Sequence, residues 1–306
     1  MEERDLAEAD RIMRMAFGSF IGLADPMTMF GDADMARTRF RAAPDGALVA
    51  EIDDKLVGSN FAANWGSFGY FGPLSVDPSL WNQGLAKQLL EQTMELFARW
   101  GCRHTGLYTF SDSAKHIALY QKFGFWPRYL TAVMSKPTQT PAAQPSYLRF
   151  STLSAAEKEL FLDECRSSTS GIYDGLDVSP EIRSVDQQHL GDTVLLLDGS
   201  RVSAFAVCHA GANSEAGSKA CYAKFGAVRP GPKAAERFAA LLEACEDFAA
   251  ARQVGRLIAG VNMGRSEAYK VMLRRGYRIE MTGIAMHREN DPGYCRPDVY
   301  VLDDWR

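Results

Sequence analysis

The fold of this 306-residue chain is constrained most by residues 71–90, FGPLSVDPSLWNQGLAKQLL. An apolar run stops at Val76-Asp77-Pro78, because proline lacks the amide that a strand ladder needs. After Gly84, apolar residues recur at helical spacing to about Trp100. A strand, a tight polar turn and a helix are therefore predicted. In one interpretation the glycine only makes the connection tight. In the other, free backbone amides and the helix dipole form an anion site over residues 81–86.

Composition narrows the class of protein. The length predicts two domains of about 150 residues each. A formal net charge of -4 gives no basic face for nucleic acid, and six cysteines without C-x-x-C spacing favour reduced thiols in the cytoplasm. No apolar run is long enough to span a bilayer, and the charged start MEERDLAEAD is unlike a signal peptide. We expect a cytoplasmic protein without membrane or nucleic-acid partners.

Hydrophobic periodicity and turn residues divide the rest of the first half into helices and strands. Helices are predicted over residues 5–17, about 33–41 and 113–123, and strands over residues 47–52, 55–64, 104–110 and 129–135. Only residues 137–145, PTQTPAAQP, have the composition of a linker. The predicted domains are therefore residues 1–136 and residues 146–306.

The second half repeats the first at a constant distance of 152 residues. Val228-Arg229-Pro230 follows Val76-Asp77-Pro78 at this distance (228 − 76), and Gly276-Tyr277 follows Gly124-Phe125 (276 − 124). Met134 likewise recurs as Met286. Several matches in one register predict an internal duplication.

Two segments do not fit this register simply. The predicted strand at residues 147–151 maps ahead of Met1, so either the first half has no strand before its first helix or its natural start lies upstream. The stretch 298–306 maps onto residues 146–154, so each half would end in a strand. Residues 147–151 then either complete the first sheet or begin the second.

Two motifs carry a family resemblance. V-D-P-S-L-W-N-Q-G-L-A at 76–86 and A-L-Y-Q-K-F-G-F at 118–125 resemble the coenzyme motif and the later helix of the GNAT superfamily of N-acetyltransferases. The resemblance covers residues 1–136 well and residues 147–306 in outline. It implies an α/β fold of the α+β mixed-sheet kind, with two tandem GNAT-like domains. Each domain would have a mostly antiparallel mixed sheet, splayed central strands and flanking helices.

The resemblance also implies that acetyl-CoA binds, without a metal, where the strands at 70–76 and 105–110 splay apart. Main chain at 74–76 would pair with the pantetheine arm, and the amides of residues 83–86 would face the pyrophosphate. The residues assigned to the coenzyme in this way are Leu74, Ser75, Val76, Trp81, Asn82, Gln83, Gly84, Leu85, Ala86, Lys87 and Ser113.

Three of these assignments have alternatives. Trp81 departs from the family pattern, which has Gln or Arg there, and an indole offers one neutral donor. Lys87 either supplies the missing charge or points to solvent. Ser113 either lies near the pantetheine, where the family often has asparagine, or is only a helix N-cap.

Tyr120 matches the tyrosine that protonates the departing CoA thiolate in many family members; the alternative is a core tyrosine. His116, one helical turn earlier, would contact Tyr120 or the substrate, or be a partly exposed helical residue. No general base stands out. The candidates by position are Glu51, Asp112 and three carboxylates of a variable loop, which are Asp25, Asp32 and Asp34.

The second half lacks the corresponding residues. Glu236 stands in place of Gly84, and Phe238 in place of Ala86. Met272 stands in place of Tyr120 and cannot donate a proton. The second domain is therefore predicted to keep the fold without CoA binding or catalysis.

The function implied is an acetyl-CoA-dependent N-acetyltransferase, in which the amine of a small molecule attacks the thioester directly. The alternative is a non-catalytic acyl-CoA-binding, regulatory or scaffold protein. The duplication suggests a monomer that mimics a dimer, or else a homodimer.

Overall fold

The computed structural model describes all 306 residues, in eight α-helices and twelve strands. The helices are α1 (Leu6–Phe20), α2 (Met35–Ala42), α3 (Leu85–Trp100), α4 (Ala114–Gln121), α5 (Ala155–Ser170), α6 (Ser179–Gln188), α7 (Ala234–Ala251) and α8 (Ser266–Arg274). The strands are β1 (Ala47–Ile52), β2 (Lys55–Trp65), β3 (Phe68–Val76), β4 (His104–Phe110), β5 (Phe125–Pro137), β6 (Leu148–Arg149), β7 (Gly191–Asp198), β8 (Arg201–Gly211), β9 (Gly217–Val228), β10 (Arg256–Asn262), β11 (Arg278–Arg288) and β12 (Val301–Leu302). Every element predicted for residues 1–136 is present.

All twelve strands belong to one mixed sheet. Its order is β1-β2-β3-β4-β11-β5-β10-β9-β8-β7-β6, and β12 pairs with β9. Only two pairs are parallel, β3 with β4 and β9 with β10. The α+β class with splayed central strands and flanking helices is confirmed.

The two halves exchange one strand at the centre of this sheet. By position in the chain β5 follows β4, yet it pairs with β10 and β11. In turn β11, which follows β10 in the chain, pairs with β4. Each half is thus completed by a strand from the other half. The linker at 138–145 separates the halves in sequence but not in the sheet, and the domain boundaries stay a prediction.

The two segments that did not fit the repeat register join the second half. β6 pairs with β7 at the edge of the sheet, so residues 147–151 begin the second sheet rather than complete the first. β12 lies against β9, inside the sheet rather than at its edge.

One face of the first half is covered by α3 and α4. The apolar face of α3 buries Leu89, Leu90 and Phe97, at the spacing that the sequence predicted. Each such side chain contributes about 1.5–3 kcal/mol when it is fully buried. The helix ends at Gly101, whose left-handed backbone conformation favours glycine. This packing fixes the position of the turn before α3.

No helix of the chain has the length and apolarity needed to span a membrane. All six cysteines are free thiols, and five of them are buried.

A histidine pair lies where β11 meets β4. His104 Nε2 is 3.0 Å from His287 Nδ1, and both rings are buried. Burial lowers the pKa of His104 to about 4, although Asp291 opposes this. Burial also lowers the pKa of His287 well below its usual value, and His104, Arg128 and Arg265 lower it further.

Stability should therefore fall as the pH drops from about 6.5 towards 4, because the unfolded chain binds protons that the folded chain does not. For His104 alone, the shift corresponds to a loss of about 2 kcal/mol at pH 5. We expect His104→Gln to remove most of the His104 contribution. The measurement is the difference in unfolding free energy between pH 7 and pH 5, from urea denaturation. The exposed His189→Asn is the control. An unchanged pH dependence in His104→Gln would contradict the assignment.

Candidate active site

A cleft opens between β3 and β4 on the side of their carboxyl ends. The two strands pair from Phe68 to Phe71 and from His104 to Leu107, and then diverge. At the point of divergence β3 carries an extra residue relative to β2, at Gly72-Pro73, and Gly72 has φ 142°. Beyond this bulge, residues 74–76 pair with β2 on one edge only. Their other edge faces the cleft.

The turn that leads into α3 presents a row of unpaired amides. Asn82 and Gly84 both have left-handed backbone conformations, with φ 67° and 86°. The amides of residues 82–86 donate to no protein group, whereas Lys87 and Gln88 already donate to the Gly84 carbonyl. Five N–H groups without a protein acceptor and the positive end of the helix dipole therefore lie together at this turn, where an anion would be stabilised. The geometry fits the pyrophosphate of a coenzyme.

Trp81 and Lys87 take part in contacts with the protein. The Trp81 indole donates to the Val76 carbonyl over 2.8 Å. The Lys115 ammonium, in the first turn of α4, lies 5.6 Å from the centre of the indole ring. Lys87 forms an exposed ion pair with Glu91 at 3.3 Å. Lys115 thus brings a positive charge beside the turn, which the sequence analysis had missed because the residue belongs to a distant element.

Ser113 is the N-cap of α4. Its hydroxyl accepts a hydrogen bond from the His116 amide over 3.4 Å, and the side chain is buried. The cap holds the first turn of α4 against the end of β4. This contact corresponds to the structural alternative for Ser113.

Tyr120 lies under the cleft, between α4 and the sheet. The ring is buried, with its centre 5.8 Å from that of Phe71 beside the bulge. Burial raises the pKa of Tyr120 to about 12, and a hydrogen bond with Thr109 partly offsets this. The phenol is therefore protonated at neutral pH, as a proton donor must be.

His116 lies between Tyr120 and the end of α1. Its ring centre is 6.5 Å from that of Tyr120 and 4.9 Å from that of Phe20. Burial lowers its pKa, and Lys115 lowers it further. The imidazole is therefore neutral at physiological pH, but at this distance it forms no hydrogen bond with Tyr120.

The carboxylates considered as bases have other partners or lie in solvent. Asp25 accepts a hydrogen bond from the Met27 amide, and Asp34 caps α2 by accepting one from the Arg37 amide. Asp32 accepts from the Ser218 amide of the second half over 3.0 Å. The remaining two candidates, Glu51 and Asp112, are exposed. The structure thus singles out no carboxylate as the base.

A buried charge network connects the bulge to the second half. The guanidinium of Arg39 donates to the Gly72 carbonyl and to both carboxylate oxygens of Glu215, at 2.8 and 3.3 Å. Lys224 donates to Glu215 over 2.8 Å and pairs with Glu181 at 3.0 Å. Burial alone would raise the pKa of Glu215, but Arg39 and Lys224 lower it well below its usual value. The carboxylate therefore stays charged and holds Arg39 against the bulge.

The corresponding positions of the second half are core or surface. Phe238 and Met272 are completely buried in its hydrophobic core. Glu236 is exposed in the first turn of α7. Neither a left-handed glycine nor a tyrosine stands at these positions.

The comparisons with known proteins agree with this geometry. Residues 14–125 match the sequence profile of the acetyltransferase (GNAT) family. A candidate acetyltransferase from Pyrococcus horikoshii has a similar structure at 13% identity and a TM-score of 0.65, over 99% of this chain and 92% of its own. A GCN5-related N-acetyltransferase from Sphaerobacter thermophilus is similar at 14% identity and a TM-score of 0.59, over 96% and 95%. No curated protein matches the chain in sequence.

Residues 14–125 in the first half are thus a GNAT acetyltransferase domain, and the fold of the whole chain is one that solved GNAT proteins share.

Replacing Gly84 with glutamate should abolish the anion site. The substitution places a carboxylate among the free amides and strains a backbone at φ 86°. We expect Gly84→Glu to weaken the binding of coenzyme A at least tenfold, measured by calorimetry. Gly101→Glu is the matched control, because Gly101 has φ 68° at the other end of the same helix, with the same open space around it. Equal affinity in the two variants would contradict the assignment.

Proposed function

We propose that this protein is an acetyl-CoA-dependent N-acetyltransferase whose acceptor is the amine of a small molecule. The observation that carries the proposal is the open cleft between β3 and β4, which ends at five free amides and has a protonated tyrosine beneath it. Acetyl-CoA would supply the activated acetyl group, and the amine would attack it directly. A cytoplasmic location remains part of the proposal.

Different residues of the first half would bind different parts of acetyl-CoA. The amides of residues 82–86 would hold the pyrophosphate, and the free edge of β3 at residues 74–76 would pair with the pantetheine arm. Backbone amides around residues 74–76 would polarise the thioester carbonyl. Trp81 would act by fixing the Val76 carbonyl and Lys115, rather than by contacting the phosphate itself.

Tyr120 would act as the acid. As the new C–N bond forms and the C–S bond breaks, the phenol would donate its proton to the departing sulfur. The proton of the attacking amine would leave through water, because the structure singles out no carboxylate as the base. The competing reading, a non-catalytic acyl-CoA-binding protein, needs no such acid.

Tyr120→Phe should reduce kcat at least tenfold while the affinity for acetyl-CoA changes less than twofold, because only the proton donor is lost. Release of CoA thiol with a panel of amines measures kcat, and calorimetry measures the affinity for acetyl-CoA. Tyr277→Phe is the control, since that tyrosine is also buried and also loses one hydrogen bond, to Glu246 in the second half. If no amine gives thiol release but coenzyme A binds, the non-catalytic reading is favoured.

Glu215→Gln should lower kcat severalfold with little change in the KM for acetyl-CoA, because the bulge would lose the charge that holds Arg39 in place. The control is Glu246→Gln, which removes a carboxylate bonded to Lys136 and Arg275 away from the cleft. Loss of stability alone would lower activity equally in both variants and would contradict a positioning role.

A further inference from the structure

The second half contains the same divergence of parallel strands, but its cleft is filled by the chain itself. β9 and β10 pair from Cys221 to Ala223 and from Leu257 to Ala259. Beyond this point β12 lies along the free edge of β9 in antiparallel register. The Val228 amide donates to the carbonyl of Tyr300 over 3.2 Å.

The paired residues of β9 are the counterparts of the proposed pantetheine site. At the distance of 152 residues, Gly226–Val228 correspond to residues 74–76 of β3. Residues 300–302 therefore lie against the second half as the pantetheine arm would lie against the first.

Side chains of the next two residues are fixed in buried polar contacts. Asp303 forms an ion pair with Arg265 at 2.7 Å. Asp304 accepts a hydrogen bond from the Tyr222 hydroxyl over 2.7 Å. All four side chains are buried, so the segment is held as specifically as a core strand. Tyr222 is the counterpart of Tyr70, which lies beside the bulge of the first half.

Two glycines make the space for this segment. A Cβ at Gly226 would lie 3.2 Å from Leu302, and a Cβ at Gly260 would lie 2.3 Å from Asp304. Their counterparts in the first half are Leu74 and Tyr108. The second half thus has room for a peptide where the first half has side chains.

We propose that the second cleft is a peptide-binding site, whose ligand is the extended segment 300–306 of the same chain. The segment excludes a coenzyme from the second half. It also joins the halves: Trp305 packs on Phe68 and Gly106 of the first half, and the main-chain oxygen of Arg306 accepts from Arg39. The cleft of the second half therefore binds one end of this segment, and the other end contacts Arg39 beside the bulge of the first half.

Amide hydrogen exchange of the full chain tests this proposal. Residues 226–228 should be protected equally with and without acetyl-CoA, and residues 74–76 should gain protection only with it. Gly260→Ala should reduce protection at 226–228 at least tenfold, because the new methyl group displaces Asp304. The matched control is Gly255→Ala in the same half, where the nearest neighbour of a Cβ is 3.7 Å away.

If Gly260→Ala does not fold, Gly226→Ala provides a milder test at Leu302 of the same segment, with a smaller loss of protection expected. Unchanged protection at 226–228 in a folded Gly260→Ala protein would overturn the proposal. So would a gain of protection there on adding acetyl-CoA, or the binding of two equivalents by the unchanged protein. Absence of any coenzyme binding would instead refute the proposed function, since protection at 226–228 is read without coenzyme.

Discussion

The antiparallel pairing of β5 with β11 holds this molecule together. It joins Phe125–Ser135 to Arg278–Arg288 at the centre of the sheet, with β4 on one flank and β10 on the other. The first half receives β11 beside β4, and the second half receives β5 beside β10. Neither half therefore has a complete sheet alone. A fragment of residues 146–306 would leave the edge of β10 unpaired, and unpaired edges favour aggregation. The second half is therefore best studied within the full chain.

The same divergence of strands has two different outcomes in one chain. In the first half the cleft stays open, with free amides at one end and Tyr120 beneath it. In the second half Phe238 and Met272 have become core residues, and β12 satisfies the free edge of β9. An unpaired edge within a buried cleft costs free energy, because its polar groups lack partners. In the second half those groups are satisfied within the chain, by the pairing of β12 with β9.

The sequence predicted local features well and long-range pairing poorly. The turn before α3 was predicted because Pro78, Gly84 and the leucine spacing all act within a few residues of one another. The strand exchange was missed, because β5 and β11 are far apart in the chain and their pairing leaves no local signal. Arg39 was missed because its partner Glu215 is 176 residues away. The position of residues 300–306 had no signal other than two glycines, whose role appears only once their neighbours are known.

The buried charges explain why a half without a site would be retained. The desolvation free energy of a buried ion pair is often larger than the attraction between its charges. Arg39 and Glu215 are therefore weak candidates for stabilising the fold. Their geometry is specific instead: one guanidinium bonds to the bulge of β3, a carboxylate of the second half and the main chain at Arg306. Removing the second half would leave Arg39 with the Gly72 carbonyl but without Glu215 and the main chain at Arg306. The bulge beside the first cleft is therefore bonded, through Arg39, to two groups of the second half.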